Sequence, residues 1–301
     1  MDVARLRVLS SGSAGNGVLV QVGPLRLLFD AGVSALTVRR SLEAFEALGP
    51  LLGEESAASN PRDRLRRVPS LDAIFITHEH SDHIRHLATL ARRNPDARIF
   101  ASPGSCRAIR QRMAKNHLSL QTVAPGERVN LGSCTVSPFA VSHDAEECCG
   151  YRLEAEHFSF GLATDLGVAD ADVIAALKGL RVLMLEANHD PQMLRAGPYP
   201  EHLKRRILST QGHLSNEQSA RLLSQLLHAG LEHVLLAHLS EENNDPQLAA
   251  ARLAEALPPG SGVRLEVNAR VVPGPIHRYL IRTRRKRSVI AGVQQQLSLP
   301  F

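Results

Sequence analysis

The chain has 301 residues, 44% of them hydrophobic and 22% charged, a balance that excludes a wholly disordered protein and is ample for one large core. The net charge is +5, but Arg282, Arg284, Arg285, Lys286 and Arg287 carry it: without these five, 30 basic residues face 30 acidic ones. A neutral body with a cationic arm is therefore expected, whose four cysteines form no CxxC pair and read as reduced cytoplasmic thiols, and which has no apolar run approaching the ~18 residues of a membrane span.

Residues 1–10 alternate charged and apolar positions without the apolar block of a signal peptide, and 5–10 is predicted as a strand. Residues 18–22 and 25–30 are predicted as further short strands, punctuated by glycines at 12, 15, 17 and 23. Helical spacing runs over 37–48 and stops at Gly49-Pro50; residues 50–70, with Arg62, Arg64, Arg66 and Arg67, read as an exposed loop. The apolar run at 71–77 predicts a strand, and 82–93 a helix. Strands are predicted at 98–101, 135–141, 151–155, 158–163, 181–186 and 233–237, and helices at 203–209, 215–229 and 246–257. Mixed order with hairpin-like strands early suits sheets packed between helices rather than an all-parallel wound sheet. From about residue 283 the periodicity ends, so 1–282 is expected as the folded unit and 283–301 as an unfolded tail.

The chemistry concentrates in His78-Glu79-His80-Ser81-Asp82-His83, on the turn between the predicted strand at 71–77 and the helix after it. Imidazole suits Zn²⁺ and its neighbours, and carboxylate suits harder cations. Further donors recur at other predicted strand ends: His143, Asp165 and His238. The cluster is not a zincin HExxH, because the fifth position is Asp82. The glycine-rich start is not a dinucleotide fingerprint either, because no GxGxxG opens a helix.

An HxHxDH turn followed by a lone His, a lone Asp and a late His resembles the metallo-β-lactamase fold, over about residues 3–270. The stretches SSGSAGNG, LLFDAG, THEHSDHIRHL, SHDAEECCGY, ATDLG, LEANHD, GHLSNE and AHLSEENN resemble its WalJ/YycJ-type branch, which is implicated in DNA exonuclease and repair functions. The resemblance implies an α/β fold, an αββα sandwich of two mixed sheets flanked by helices. It also implies two divalent ions, Zn or Mn. His78, His80 and His143 would hold one, Asp82, His83 and His238 the other, and Asp165 would bridge. Asp30 would hydrogen-bond a ligand and orient it.

Such a metal pair could hydrolyse lactams, thioesters or phosphodiesters, so a general acid is the discriminating element. His213 lies just before a helix whose start carries a Ser215–Gln218 capping box, and Glu186 ends a predicted strand from which it could steer that histidine. The pair resembles the Glu and His of RNase Z-like phosphodiesterases. His86 reads as a support for His83 or as an exposed residue, and His189 as a non-catalytic residue of the cleft. His117, His157, His202, His228, His233 and His277 read as surface or core residues, and Cys148 and Cys149 as packing. The span of 73 positions from Asp165 to His238 leaves no room for the added domain of RNase J-like nucleases.

The hexapeptide Gln296-Leu297-Ser298-Leu299-Pro300-Phe301 resembles the peptide by which bacterial proteins dock on the replication sliding clamp. Leu297, Leu299 and Phe301 would supply the apolar contacts and Gln296 a polar anchor. Arg284, Arg285, Lys286 and Arg287 would touch DNA. The expected function is a two-metal DNA exonuclease of repair or replication. The alternatives are an RNase Z-like ribonuclease, a small-molecule phosphodiesterase and a clamp-tethered binding protein.

Overall fold

The computed structural model describes residues 2–51, 69–268 and 271–280. Residues 52–68 of the expected loop, the expected boundary at 282, the basic run and the hexapeptide lie outside them.

The strands of the described residues form two seven-stranded mixed sheets. The first contains β1 (Asp2–Ser10), β2 (Gly17–Val22), β3 (Leu25–Phe29), β4 (Ala73–Phe75), β5 (Arg98–Ala101), β6 (Leu120–Thr122) and β14 (His277–Leu280), in the order β14-β1-β2-β3-β4-β5-β6. The second contains β7 (Val129–Asn130), β8 (Cys134–Ala140), β9 (Cys149–Ala155), β10 (Phe158–Ala163), β11 (Val182–Glu186), β12 (His233–Ala237) and β13 (Arg264–Val267), in the order β13-β12-β11-β10-β9-β8-β7. Each sheet is part antiparallel and part parallel: β1–β3 and β7–β10 meander, whereas β3–β6 and β10–β13 run parallel.

Central strands such as β2 and β11 are buried along their whole length because both faces meet apolar partners. Val18, Val20, Val182 and Met184 point between the sheets. Leu19 packs outward with Val38, Leu42 and Phe45 of the helix Ala35–Glu46, and Leu183 and Leu185 pack outward with Leu222 and Leu223 of Asn216–Leu226. Three apolar layers thus separate helices, sheet, sheet and helices, which is the αββα sandwich expected. Phe75 anchors the middle layer, stacked on Phe100 at 5.0 Å and on Phe29 at 5.4 Å. This rigid centre lies directly beneath the strand ends that carry the polar residues.

One expected element is corrected. The helix predicted over 82–93 is two helices, Ser81–Ile84 and Leu87–Arg93, separated at Arg85 and His86. The His83 carbonyl accepts from Ala31 N–H at 2.7 Å, and His86 N–H donates to the Ala31 carbonyl at 2.9 Å. Both groups are thereby diverted from the helical ladder to the loop after β3. The helices Pro103–Arg112 and Pro191–Ala196 were not expected. Their signal is a capping Ser102 or Asp190 followed by proline at the first helical position. Among the described residues no helix is long and apolar enough to cross a membrane.

Candidate metal centre

The site lies where both sheets end on the same side. From the first sheet, β3 leads into Asp30 and β4 runs out into Thr77 and the His78–His83 turn. Asp30 Oδ1 accepts from the Thr77 N–H at 2.9 Å, and Asp30 Oδ2 lies 2.8 Å from His83 Nδ1. That bond assigns the His83 proton to Nδ1 and turns Nε2 inward. Burial disfavours charge on His83, but Asp30 and Asp165 outweigh it and raise its pKa well above the ordinary value. His78 is fully buried, and burial together with its neighbouring imidazoles pushes its pKa well down, so it is a neutral donor.

From the second sheet come Asp165 after β10, Glu186 at the end of β11, His238 after β12, and His143 from the loop between β8 and β9. Asp30, Asp165 and His238 have φ of 62°, 56° and 56°, three of the four positive values among described non-glycine residues. Each turns left-handed within two residues of its strand, a conformation that costs about 1–3 kcal/mol and concentrates at functional sites. Hydrogen bonds hold the turns. His238 N–H donates to Ser11 Oγ at 2.9 Å, and its carbonyl accepts from Asn188 Nδ2 at 2.9 Å. His143 Nδ1 donates to the Gly212 carbonyl at 3.1 Å, which turns Nε2 toward the cluster.

The seven residues expected as ligands converge. The donor atoms of His78, His80 and His143 lie within 4.8 Å of one another, as do those of His78, His83 and Asp165. Asp165 is the hub: its oxygens lie 3.3 Å from His238, 3.4 Å from His83 and 3.8 Å from His143. Burial raises its carboxyl pKa, but the surrounding imidazoles, His238 first, overcome this and hold it well below the carboxylate range. The expected Asp82–His83–His238 triad is looser. Asp82 meets His83 at 3.4 Å, whereas His238 groups with Asp165, Glu186 and His213. His78 Nε2 and Asp165 Oδ2 are buried with no hydrogen-bond partner. Buried orphan donors of this kind in a nitrogen–oxygen set fit a divalent cation.

Glu186 is fully buried. Its Oε2 accepts from the N–H groups of Leu166 and Leu214, both at 3.0 Å, and its Oε1 lies 2.7 Å from His213 Nδ1. It therefore ties the Asp165 turn to the His213 loop and leaves His213 Nε2 as the free nitrogen. Burial opposes charge on His213, yet Glu186, with Asp165 and Asp144 adding to it, holds its pKa up to about 9. The Ser215–Gln218 capping box is present. His143, His213, His238, Tyr199 and Arg206 line a cleft of about 360 Å³.

Sequence reasoning missed three supports. Asn16 Nδ2 donates to Asp82 Oδ2 at 2.9 Å and lies 3.0 Å from His83 Nε2, while its Oδ1 accepts from Gly12 N–H at 2.9 Å. Ser11 holds the His238 turn as described. The SSGSAGNG stretch is thus a clamp on the cluster, a role its spacing does not reveal. Glu79, inside the histidine motif, faces away: Oε1 accepts from Glu146 N–H at 3.1 Å and pins the loop of His143. Arg206 pairs with Asp144 at the cleft rim. Cys148 and Cys149 are buried free thiols, in keeping with packing. His189 is buried behind His213, and burial lowers its pKa to about 4. His86 is half-buried at the start of Leu87–Arg93, where its side chain makes no cap.

Gly32 lets the clamp close. A Cβ there would lie 1.7 Å from the Asp82 carbonyl oxygen and 2.5 Å from Asn16 N, both rigid backbone atoms. Gly32→Ala is expected to displace the Asp82 turn and weaken metal binding by about 10–100-fold, read by chelator competition. Wild-type affinity in that variant would show that the turn does not set the site.

The chain belongs to the β-lactamase superfamily: the family's domain matches residues 25–239. Within the superfamily it falls in the YycJ/WalJ branch. It is 34% identical over 251 residues to exodeoxyribonuclease YycJ of Bacillus anthracis, covering 83% of this chain and 88% of that protein. It is likewise 34% identical over 253 residues to exodeoxyribonuclease WalJ of Streptococcus pneumoniae, covering 83% and 87%. The metallo-β-lactamase fold protein YhfI of Bacillus subtilis superposes with a TM-score of 0.63 at 15% identity, over 91% of this chain and 99% of its own, a likeness of fold alone.

Proposed function

We propose that this chain is a two-metal phosphodiesterase that degrades DNA from an end, in repair or replication. The observation that carries it is the Glu186–His213 pair, set in the same cleft as the Asp165-centred cluster. The relatives named as exodeoxyribonucleases support the same substrate class. His78, His80 and His143 would hold one ion, Asp82, His83 and His238 the second, with Asp165 shared. Zn²⁺ or Mn²⁺ there supplies a nucleophilic water at neutral pH and neutralises charge on the phosphoryl oxygens. Asp30 keeps His83 in the ligating tautomer. His213, protonated and steered through Nδ1 by Glu186, delivers a proton from Nε2 to the departing oxygen.

The peptide Gln296–Phe301 docks in an apolar cleft of the sliding clamp through Leu297, Leu299 and Phe301, and Arg284, Arg285, Lys286 and Arg287 touch the DNA beside it. Tethering of this kind raises local enzyme concentration to about the millimolar range.

The test of the nuclease reading is a matched panel of double-stranded DNA, single-stranded DNA and RNA, labelled at either end and incubated with Mn²⁺ or Zn²⁺. DNA degradation that vanishes in Asp82→Ala/His83→Ala supports the proposal, and the labels report direction. Cleavage of RNA alone would move the assignment to an RNase Z-like enzyme. For the tail, deletion of 296–301 is expected to abolish clamp binding in fluorescence anisotropy without changing turnover on free DNA.

The His213 role also predicts a pH profile. A general acid works while protonated, and Glu186 raises the His213 pKa, so turnover falls as pH rises through that pKa. Glu186→Gln removes the charge that stabilises the imidazolium and moves this limb down by about 1–3 pH units. A limb that stays in place would assign the proton to another group.

A further inference from the structure

Far from the cleft, three donors that the sequence assigns no chemistry come together: His233 at the start of β12, Glu266 on β13 and His277 on β14. Because β13 and β14 are the edge strands of opposite sheets, this is where the two sheets meet along their open side. His233 begins the strand whose far end leads into His238, so the cluster lies at the opposite end of β12 from the nuclease site.

His233 is fully buried and His277 nearly so, and neither Nε2 has a hydrogen-bond partner. Each faces its own oxygen of the Glu266 carboxylate, His233 Nε2 at 3.6 Å from Oε2 and His277 Nε2 at 3.4 Å from Oε1, too long for an N–H···O bond. The rings stand nearly perpendicular with centroids 4.7 Å apart. Donors on a tetrahedral Zn²⁺, at bond lengths of about 2.0–2.2 Å, are separated by roughly 3.3–3.6 Å. The two measured gaps match that spacing. We infer that His233, Glu266 and His277 form a second, separate binding site for a divalent transition metal ion such as Zn²⁺, which clips β14 to the second sheet.

The surroundings support the ligand chemistry. Burial, with the Arg264 charge adding to it, lowers His233 to about 3 and His277 to about 4, so both imidazoles are neutral and need lose no proton to bind. Glu266 is partly exposed and gives the ion an entry path, and water can fill the fourth position. His233 Nδ1 lies 2.9 Å from both Tyr279 Oη and the Arg264 guanidinium. Ligation through Nε2 places the proton on Nδ1, which donates to Tyr279 Oη, and exposed Arg264 turns to solvent. Arg264 therefore opposes the ion by its charge and by competing for Nδ1.

The experiment loads the full-length protein with Zn²⁺, removes excess and counts metal per chain by mass spectrometry, beside circular dichroism. Glu266→Gln and His277→Gln are expected to hold about one equivalent less than wild type. Arg264→Ala is expected to keep the full count and to release that equivalent only at about tenfold higher chelator, by analogy with other neighbouring-group effects on metal affinity. Should His277→Gln fail to fold, Glu266→Gln, altered at a partly exposed group, decides alone. A wild-type count in folded Glu266→Gln overturns the site.

Discussion

Asp165→Asn is expected to lower DNA degradation by about a thousandfold or more, since it removes the one charge shared by the whole cluster. Asparagine nearly matches aspartate in shape and tolerates the left-handed φ of 56° at this position. The fold should therefore survive, and the change isolates the charge. In the native chain the carboxylate faces His238, His83 and His143 at 3.3–3.8 Å. Its loss leaves imidazoles with no common anion, so metal content measured by mass spectrometry should fall together with activity. A variant that keeps both its metal and its turnover would remove Asp165 from the centre of the site.

His213→Ala is expected to separate the two functions. Its Nδ1 lies 2.7 Å from Glu186, and it is not among the seven residues proposed to hold the ions. Metal content should stay at the wild-type level while turnover on DNA falls by about 10²–10⁴-fold. Glu186 keeps its bonds from Leu166 and Leu214, which limits the stability loss to about 1–3 kcal/mol. A p-nitrophenyl phosphodiester provides the internal control, because its leaving group departs without a proton. The deficit should nearly disappear on that substrate. An equal deficit on both substrates would show that His213 acts by positioning and not by proton transfer.

The pattern of legibility follows from range. The His78–His83 turn was readable because its donors are consecutive and a strand precedes them. His143, Asp165, Glu186 and His238 were readable for a related reason: each ends an apolar run, and a strand end in a layered fold is where a polar group can be exposed. The capping box at Ser215 is likewise local. The helix over 82–93 was misread because two backbone groups that would have continued it bond to Ala31, about 50 residues earlier. Edge strands such as Val129–Asn130 and His277–Leu280 are too short to show a period.

The residue types, spacing and strand-end pattern, together with a family resemblance, were enough to indicate the sandwich and to single out candidate donors, since each of these stands at the end of its own apolar run. Tertiary structure alone decided that Asn16 and Ser11 clamp the cluster. It also turned Glu79 away and brought His233, Glu266 and His277 from two sheets into one group. Those contacts join residues tens to hundreds of positions apart. Only the packing of the two sheets on a common core, which sets where each strand end stops, brings them within bonding distance.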